Sequence, residues 1–478
     1  MSAMFQPPKL GIGMIFSAAL TPFLRRRPDA LDVLEIEPQT LWLADDPIDG
    51  PFAEFRPALE AFSELPQAKL VHSVGVPLGG TRRPDPGQMA LLKATADRLN
   101  SPWVSEHLSV AGTPHQSAGF LLPPLQTEDG VATAVANIQA FKAGLGRPVA
   151  VETGVAYLKR KAFEMPDGVF LRRVAEEADC GLLLDLHNLW CNHINDRIDI
   201  DETLSQIPFD RVWEVHLAGG EEMGGVWLDS HSGAMPDALA ARAREVIAEL
   251  PNLGAVNFEI YDTFLERVDD AEFDQIVEDL RSIWAHAGQS RSDLRPFDIV
   301  TPVDSHDTSP AQWEDSLTRA VWKSDPSGHL WPEDHPLLTL YAFLARSFRG
   351  SLLTRALPRA VRYGLLRDGD RFEQTLSAYF DAQSPQMFAP LEAAAFRNWL
   401  IAQGEHDPLM LGLLDYDMAF IEMLTSDTPK IVRFPGDPAP VFEALVEGRL
   451  PAQPKPPEWE LEILPDATSD GFSAQSAG

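Results

Sequence analysis

The chain has 478 residues, of which 45% are hydrophobic and 23% are charged, and this composition is typical of a folded globular protein. Its 39 Lys and Arg residues are outnumbered by 71 Asp and Glu residues, so the formal net charge is −32 and the surface repels nucleic acid and anionic membranes. At this length we expect one large domain and one smaller domain.

Membrane and secretory signals are missing from the sequence. No apolar run reaches about 18 residues, so no transmembrane helix is predicted. The first residues lack the order of a signal peptide, and we expect a cytoplasmic protein. The two cysteines, Cys180 and Cys191, are too few for a disulfide framework or a thiolate cluster, and Cys180 is expected to be a small core residue.

Residues 9–287 alternate between short apolar runs and longer amphipathic stretches. The apolar runs predict strands at 10–15, 33–36, 69–74, 103–108, 148–152, 181–186, 212–217 and 255–260. Helical periodicity predicts helices at 87–99, 130–144, 168–178, 237–250 and 270–287. Eight strands alternating with helices over about 280 residues predict an α/β fold, the (β/α)₈ TIM barrel.

The rest of the chain differs in character. We predict a TIM-barrel catalytic domain at 1–290, a polar linker at 291–334 with one helix near 310–323, and a smaller, mainly helical domain at 335–450. Within that domain we predict helices at 335–366, 370–382, 390–402, 408–426 and 439–447, and a strand at 430–434. The Pro-rich segment 451–478 is predicted to be a partly disordered tail.

Ionisable or amide side chains stand at the carboxyl end of nearly every predicted strand, where the reactive groups of such barrels belong. They are Glu35, Glu37, His72, Glu106, His107, Glu152, Asp185, His187, Asn188, His216, Asp229, His231, Glu259 and Asp262. Buried together without partners, such groups cost several kcal/mol each. Bound cations satisfy carboxylates and neutral imidazoles at once, so the pattern predicts metal binding.

The number of these side chains exceeds what one ion binds, because first-row divalent metals take about four to six ligands. We therefore expect two or three metal ions that share bridging carboxylates. The absence of thiolates argues against structural zinc or an iron–sulfur cluster. Mixed imidazole and carboxylate ligands suit iron, manganese or catalytic zinc, and composition alone leaves that choice open.

Structural roles compete with metal binding at several positions. His72 could be a core histidine with its hydrogen bonds satisfied, and Glu152 could anchor a helix N-terminus. Asp229 and His231 could lie in a surface loop, and the two glutamates of the second strand could orient loops beneath the site.

In each of two pairs of adjacent residues, at least one member is expected not to bind metal. Neighbouring residues on a strand point to opposite faces, so of Glu106 and His107 we favour His107 as the ligand. His187 and Asn188 do not easily both point inward, so at least one of them is expected to support the ligands instead of binding metal.

Two glycine-containing motifs give weaker evidence about function than the side chains at the strand ends. Gly11–Gly13 lacks the third glycine of a dinucleotide site, and its glycines are expected to permit a close approach of the backbone to a strand or a ligand. Gly79–Arg83 predicts a mobile basic loop beside His72, which could bind an anionic substrate group or could be a solvated turn.

With these residues identified, the barrel portion resembles the DUF692 family of multinuclear non-haem iron enzymes. The matching segments are GIGMIF at 11–16, VLEIEPQTLW at 33–42, VHSVGVPLGG at 71–80, PWVSEHLSV at 102–110, VETGVAYL at 151–158, LLLDLHNLWCNHIN at 182–195, VWEVHLAGG at 212–220, LDSHSG at 228–233 and NFEIYD at 257–262. The resemblance implies a TIM barrel with two or three iron ions (Fe²⁺/Fe³⁺), and it assigns metal-ligand roles to His72, His107, Glu152, Asp185, His216, Asp229, His231 and Glu259. We assign the catalytic role to Asp185, His187 and Asn188.

The resemblance also implies a reaction. Relatives use dioxygen to modify ribosomally made precursor peptides at cysteine or aspartate, and they commonly require a partner protein that presents the peptide. The helical segment after about residue 300 is predicted to be such a partner fused in cis. The sequences DLHN at 185–188 and VETG at 151–154 indicate a subgroup different from the methanobactin-type enzymes, so the modified residue stays open.

Two other classes of function remain as alternatives. One is a divalent-metal barrel isomerase or hydrolase acting on a small molecule, although no strand end carries the lysine that a sugar isomerase would typically show. A phosphoesterase acting on DNA is disfavoured by the net charge of −32. The other is a non-catalytic metal- or peptide-binding protein.

Overall fold

The structure is a computed structural model that describes residues 5–44, 52–289, 307–323, 327, 329–386, 388–423 and 428–464. The chain divides into two compact units. The first unit contains Met1–Gln39, Phe62–Pro114 and Leu121–Ser316, and the second contains Thr40–Ala61, His115–Phe120 and Leu317–Gly478. The second unit therefore includes two short segments from the barrel half of the sequence as well as the C-terminal region.

A closed barrel of eight parallel strands forms the centre of the first unit. The strands are β1 (Gly11–Ile15), β2 (Val33–Ile36), β3 (Ala68–Ser73), β4 (Val104–His107), β5 (Val149–Glu152), β6 (Gly181–Asp185), β7 (Val212–Ala218) and β8 (Ala255–Glu259). Each strand pairs with its sequence neighbours, and β8 pairs with β1, where Gly11 lies opposite Ala255. The predicted TIM barrel is confirmed, and every strand boundary lies within one residue of its prediction.

Helices follow the strands around the barrel. They are α1 (Thr21–Arg26), α2 (Arg56–Ser63), α3 (Pro86–Arg98), α4 (Glu128–Leu145), α5 (Asp167–Ala178), α6 (Leu186–Ile194), α7 (Ile200–Gln206), α8 (Asp237–Ala248), α9 (Asp262–Leu265) and α10 (Asp270–Trp284), with short 3₁₀ turns at Ala18–Leu20, Pro38–Leu41 and Phe209–Arg211. The five predicted helices are present, and α1, α2, α6, α7 and α9 were not predicted. Two of the longer helices start at side-chain caps: Asp85 accepts from the first turn of α3, and Asp269 forms a capping box with Glu272 in α10.

Three short antiparallel hairpins were also not predicted. They pair Trp42–Ala44 with Phe52–Glu54, Val110–Thr113 with Gln116–Leu122, and Glu221–Met223 with Val226–Leu228. Most of these strands have only three or four residues, which is too short for a clear alternation of apolar and polar side chains.

An apolar layer fills the amino-terminal half of the barrel. It contains Val33, Leu70, Trp103, Ala150, Leu183, Trp213 and Ala255, all of them buried. Because this layer closes one end of the barrel interior, the polar inward-facing side chains lie toward the carboxyl ends of the strands.

The second unit is mainly helical, as predicted. After the 3₁₀ turn Pro332–Asp334 it contains α12 (His335–Ala356), α13 (Pro358–Ala382), α14 (Ala389–Ala402), α15 (Pro408–Met423), β9 (Lys430–Phe434), α16 (Ala439–Val446) and β10 (Trp459–Ile463). These elements share a hydrophobic core that includes Tyr363, Tyr379, Phe396 and Leu413.

The prediction of one continuous helix at 335–366 is wrong, because that segment is divided into two helices. It breaks between α12 and α13, because Pro358 lacks an N–H and restricts Leu357, whose φ and ψ are −125° and 53°. The break predicted between residues 366 and 370 does exist, since Asp368 has non-helical angles (φ −167°, ψ 92°) inside α13.

The regions predicted as linker and tail contain regular structure. The helix predicted near 310–323 is α11 (Pro310–Trp322), and β10 lies within the segment predicted as a tail and pairs with β9. Residues 291–306, 324–326 and 328, in the predicted linker, and 465–478, the end of the predicted tail, lie outside the described residues. Among the residues that are described, none forms a helix both long and apolar enough to cross a bilayer.

Candidate metal centre

Eight side chains meet at the carboxyl ends of the barrel strands, and we call them the ligand cluster. Six lie at the ends of strands and two lie in the loop between β7 and α8. They are His72, His107, Glu152, Asp185, His216, Glu259, Asp229 and His231. The structure thus brings together every side chain that was predicted to bind metal.

The first group in the ligand cluster joins β3, β4 and β5. Glu152 Oε2 lies 3.2 Å from His72 Nε2 and 2.9 Å from His107 Nε2. Ser105 Oγ lies 2.9 Å from His72 Nδ1 and holds the imidazole with its other nitrogen toward Glu152. Burial alone would raise the pKa of Glu152, but His107 and His72 hold that pKa well below its usual range.

The second group joins β5 to β8. Ligand atoms of Glu152, Asp185, His216 and Glu259 all lie within 4.8 Å of one another, and all four residues are buried. His216 Nδ1 lies 3.1 Å from Glu259 Oε1. Burial, together with the charges of Glu259 and Glu152, raises the pKa of Asp185 well above its usual value. Three carboxylates in so small a buried volume repel one another, and a cation would remove that conflict.

The third group lies in the loop after β7 and at the end of β8. His231 Nε2 lies 3.0 Å from Asp229 Oδ1 and 3.2 Å from Glu259 Oε2. His231 has a left-handed backbone (φ 45°), a conformation that costs a residue other than glycine about 1–3 kcal/mol. Neighbours hold it there, because Ser232 N donates to Gly219 O and Tyr261 N donates to His231 O.

Two glutamates connect the three groups. Glu152 belongs to the first and second groups, and Glu259 belongs to the second and third. A carboxylate has two oxygens and can bridge two neighbouring ions. The arrangement therefore has the form expected for two or three metal ions in a row.

Unpaired buried atoms support the fit of metal ions to these residues. Among the described residues, no hydrogen-bond partner exists for Glu152 Oε2, Asp185 Oδ2, Asn188 Oδ1, His216 Nδ1, His231 Nε2 or Glu259 Oε2. The close nitrogen–oxygen pairs of the cluster are 2.9 to 3.2 Å apart without forming hydrogen bonds. Two ligands that are each about 2.1 Å from one ion are about 3.0–3.4 Å apart, so the distances suit ligands that converge on shared ions.

The histidines of the cluster are surrounded by negative charge. Burial alone would lower the pKa of His216, but Glu259 and Glu35 raise it well above its usual value. The pKa of His231 is raised in the same way by Asp229 and Glu259. A metal ion binds a neutral imidazole through its unprotonated nitrogen. Metal binding must therefore displace the additional proton from each of these histidines.

His187 lies beside the three groups, where His187, Cys191 and Asp229 also have the geometry of a metal group. Its Nδ1 lies 2.9 Å from Asp229 Oδ1, and its Nε2 accepts from Trp227 Nε1 at 3.4 Å. With both nitrogens engaged, His187 orients Asp229. Cys191, one helical turn later in α6, places Sγ 3.7 Å from His187 Nε2.

Asn188 and Asp185 are linked at the start of α6. Asp185 Oδ1 accepts from Asn188 N at 2.8 Å and caps the helix, which leaves Asp185 Oδ2 for the cluster. Asn188 Nδ2 donates to Thr153 O at 3.2 Å, and its unpaired Oδ1 is a further candidate ligand. The helix therefore begins directly at the end of β6 and places both side chains at the site.

Glu106 lies outside the three groups, although its Oε1 lies 3.3 Å from His107 Nδ1. Its Oε2 accepts from Ser73 Oγ at 2.7 Å and from Val76 N at 2.8 Å. It therefore fixes the loop after β3. Two other residues at strand ends lie outside the ligand cluster. Asp262 is the first residue of α9. Burial raises the pKa of Glu37.

The loop Gly79–Arg83 is anchored within the first unit. Asn137, which is fully buried, donates to Gly80 O and accepts from Arg83 Nη1. Arg82 donates to Thr113 O at 2.7 Å, and Thr81 N donates to Glu314 of α11 at 2.7 Å. The internal contacts of both arginines argue against the anion-binding alternative, and the mobility of the loop stays a prediction.

Sequence reasoning missed two buried polar residues beneath the cluster, Glu214 and Asn257. Each lies two positions before a predicted ligand, His216 or Glu259, on the same strand. Because side chains alternate along a strand, residues two apart share a face, and this spacing was a usable signal. The search also missed Tyr261, an exposed ring that packs against His231 with ring centroids 4.9 Å apart.

Comparison with curated proteins finds relatives of unassigned activity. A UPF0276 protein of Chromobacterium violaceum is 34% identical over 230 residues, which are 47% of this chain and 82% of that protein. A UPF0276 protein of Streptomyces avermitilis is 34% identical over 220 residues, which are 44% of this chain and 45% of that protein. The match thus spans less than half the length of the second relative.

Comparison with solved structures finds other barrels. D-psicose 3-epimerase with D-tagatose from Clostridium cellulolyticum H10 is 12% identical with a TM-score of 0.37, covering 59% of this chain and 100% of the epimerase chain. The IOLI protein with a bound zinc atom is 14% identical with a TM-score of 0.38, covering 57% of this chain and 99% of that chain. At these scores the similarity carries no argument about this chain.

The family comparison is decisive for the barrel. The model described as RiPP precursor modification enzyme MbnB/TglH/ChrH matches residues 10–280, which is more than half of the chain and includes the whole ligand cluster. The chain belongs to this family of RiPP precursor modification enzymes.

Proposed function

We propose that this protein is a multinuclear iron, dioxygen-dependent oxidase that modifies a cysteine or aspartate residue of a ribosomally made precursor peptide. The observation that carries the proposal is the set of three ligand groups joined by Glu152 and Glu259. Family membership supports a precursor peptide as the substrate. Imidazole and carboxylate donors without thiolate ligands suit iron.

The protein side chains have separable roles in this proposal. Iron ions bound at the cluster would supply open coordination positions and electron transfer, which the side chains themselves lack. Glu152 and Glu259 would hold adjacent ions at a fixed separation. Asp185, in the buried second group, and Asn188, with its unpaired Oδ1, would complete the inner face of the site. His187 would keep Asp229 in position, with Trp227 holding His187 in turn.

The second unit is proposed to bind the precursor peptide, in the role that a separate partner protein has in related systems. Two facts support this part of the proposal: the C-terminal part of the unit has its own hydrophobic core, and that part lies outside the region that the family model matches. Photo-crosslinking of a labelled peptide to the full chain, followed by mass spectrometry, would locate the binding segment. Crosslinks confined to the first unit would contradict this role.

Oxygen uptake tests the reaction. Iron-loaded protein should consume dioxygen when a genomically neighbouring precursor peptide is added, and mass spectrometry should show a mass change at one cysteine or aspartate. Substituting that residue in the peptide by serine or asparagine should abolish both signals. No uptake with any precursor peptide from the gene neighbourhood, despite full iron loading, would contradict the oxidase proposal.

A second candidate is a divalent-metal isomerase or hydrolase that uses one ion. The observation in its favour is that Glu152, Asp185, His216 and Glu259 form a complete four-ligand site without the other two groups. The metal content separates the candidates, since a single zinc or manganese ion per chain would favour the isomerase or hydrolase.

A further inference from the structure

A buried polar network lies beneath the ligand cluster, on the side of the apolar layer. Glu35 of β2, Glu214 of β7 and Asn257 of β8 are all 0% exposed. Burial and the neighbouring Glu214 raise the pKa of Glu35 to about 7, which reflects the cost of placing two carboxylates here. A barrel core filled with apolar side chains would avoid that cost, so the network needs an explanation.

Asn257 holds the two carboxylates together. Its Nδ2 donates to Glu214 Oε1 at 2.6 Å and to Glu35 Oε2 at 3.2 Å. Glu214 Oε2 also accepts from Trp103 Nε1 at 2.9 Å, which anchors the network in the apolar layer. Glu35 is thus fixed from below by a chain of hydrogen bonds.

Glu35 reaches the ligand cluster through His216. His216 Nε2 lies 2.8 Å from Glu35 Oε2, an oxygen that already accepts from Asn257 Nδ2, so we assign the proton of this contact to His216 Nε2. His216 Nδ1 then carries the free lone pair, and it is the unpaired nitrogen that faces Glu259 at 3.1 Å. One carboxylate therefore determines which nitrogen is offered to a metal ion.

Gly13 of β1 belongs to the same network. A Cβ at this position would lie 2.3 Å from Asn257 Oδ1 and 2.4 Å from Val33 O. Only glycine leaves room for Asn257 where it bridges the two glutamates. The Gly11–Gly13 motif is therefore connected to the site through packing and not through a nucleotide.

We propose that Glu35, held by Asn257 and Glu214, is a positioning residue that fixes His216 as an Nδ1 ligand of the second metal group. This inference rests on the proposed metal centre and goes beyond it by assigning residues that bind no metal. A carboxylate that accepts from the second nitrogen of a ligating histidine fixes the ring and makes it a stronger donor. Loss of such a partner typically lowers metal affinity about 10- to 100-fold.

Glu35, Glu214 and His216 also have the geometry of a metal group of their own. The hydrogen bonds disfavour an ion there, because the amide of Asn257 already donates to both carboxylates and His216 already donates to Glu35. An additional ion would have to displace these donors. An ion at this position would bind His216 through Nε2.

The first test compares Glu35→Gln with the wild type and with the matched control Glu164→Gln. Glu164 is another buried glutamate of the first unit, and it accepts from Gln126 N and Lys161 N instead of from a cluster histidine. Each protein is loaded anaerobically with ⁵⁷Fe²⁺, and iron retention is measured against a competing chelator. Glu35→Gln should lose affinity about 10- to 100-fold at one iron position and change one Mössbauer quadrupole doublet, while the control should match the wild type.

The second measurement uses the unmodified protein, in case the variant fails to fold. In zinc-loaded protein labelled with ¹⁵N-histidine, the His216 signal, assigned by its absence in His216→Gln, should show a slowly exchanging proton on Nε2 and a metal-bound Nδ1. A metal-bound Nε2, or Glu35→Gln iron binding equal to wild type, would overturn the inference alone. Wild-type protein that binds no metal would overturn the metal centre itself.

Discussion

At the scale of single residues, the two shared glutamates connect the histidines of the ligand cluster into one arrangement. Glu152 has two histidine nitrogens within 3.2 Å and also belongs to the second group. Glu259 similarly faces His216 and His231. A ligand that serves two ions should matter more than a ligand that serves one.

Substitutions that remove a shared or an unshared ligand should therefore differ. Glu152→Ala should lower the bound metal by about two ions per chain, whereas His107→Ala should lower it by about one, because Glu152 contributes to two groups. Elemental analysis after gel filtration measures the difference, and far-ultraviolet circular dichroism checks that each variant is folded.

His193→Ala provides the control for these variants. His193 lies on α6 and contacts Ile198 O instead of a cluster residue, so its removal should leave the metal content unchanged. Equal metal loss from Glu152→Ala and His107→Ala would contradict the shared-ligand arrangement.

Six of the eight candidate ligands were predictable because each stands at the end of an apolar strand, where an unpaired charge has no structural purpose. The supporting residues were harder to predict. Glu214 looks like an isolated charge in a strand until His216 is recognised as sharing its face, and the contact of His187 with Asp229 depends on a hairpin that has no clear sequence pattern.

At the scale of elements, β1 and α13 each make a contact with a distant element, and each contact depends on a single residue. Gly13 on β1 allows Asn257 to approach, and Asp417 on α15 holds the start of α13 by accepting from Arg359 N and Ala360 N, each at 3.0 Å. Both contacts join segments that are far apart in the sequence.

Gly13→Ala should destabilise the protein by about 1–3 kcal/mol, because the added methyl group overlaps Asn257 and the backbone of Val33. Urea unfolding followed by fluorescence measures the effect. The matched control is Gly350→Ala in α12, where an added Cβ meets no atom within 4 Å and should be neutral or stabilising by about 0.5–1 kcal/mol. Similar stability changes for the two variants would contradict the packing role of Gly13.

Asp417 predicts a pH dependence in the second unit. Burial raises the pKa of Asp417 to about 6, above its ordinary value of 3.8, so the folded state holds this proton more tightly than the unfolded state. The contribution of Asp417 to stability therefore falls as the pH rises from about 4 to about 6.

Asp417→Asn should remove this dependence. Relative to the variant, the wild type should lose about 2 kcal/mol of unfolding free energy between pH 4 and pH 7, as measured by urea denaturation at both pH values. A constant difference between the two proteins over this range would show that the proton affinity of Asp417 does not change on folding.

Helices and strands were predictable where the hydrophobic pattern was regular over the whole element. All eight barrel strands and the five longer helices follow from periodicity, whereas the break at Pro358 interrupts a pattern that remains helical on both sides. The strand β10 was missed because four of its five residues are at least partly exposed and it is stabilised by pairing with β9.

At the scale of the whole molecule, the chain combines a family barrel with a C-terminal region, residues 281–478, that the family match does not include. The matched region, 10–280, contains all eight barrel strands, and the second unit has a separate hydrophobic core. The net charge of −32 predicts that a peptide partner with basic residues would associate faster at low ionic strength.

The measurement that most directly tests the central claim is the metal content of the full chain, purified without oxygen from cells grown on ⁵⁷Fe and examined by elemental analysis and Mössbauer spectroscopy. The shared-glutamate arrangement predicts about two or three iron ions per chain, with an antiferromagnetically coupled pair in the mixed-valent state. One zinc or manganese ion per chain and no iron would contradict the account and leave a single-metal isomerase or hydrolase in its place.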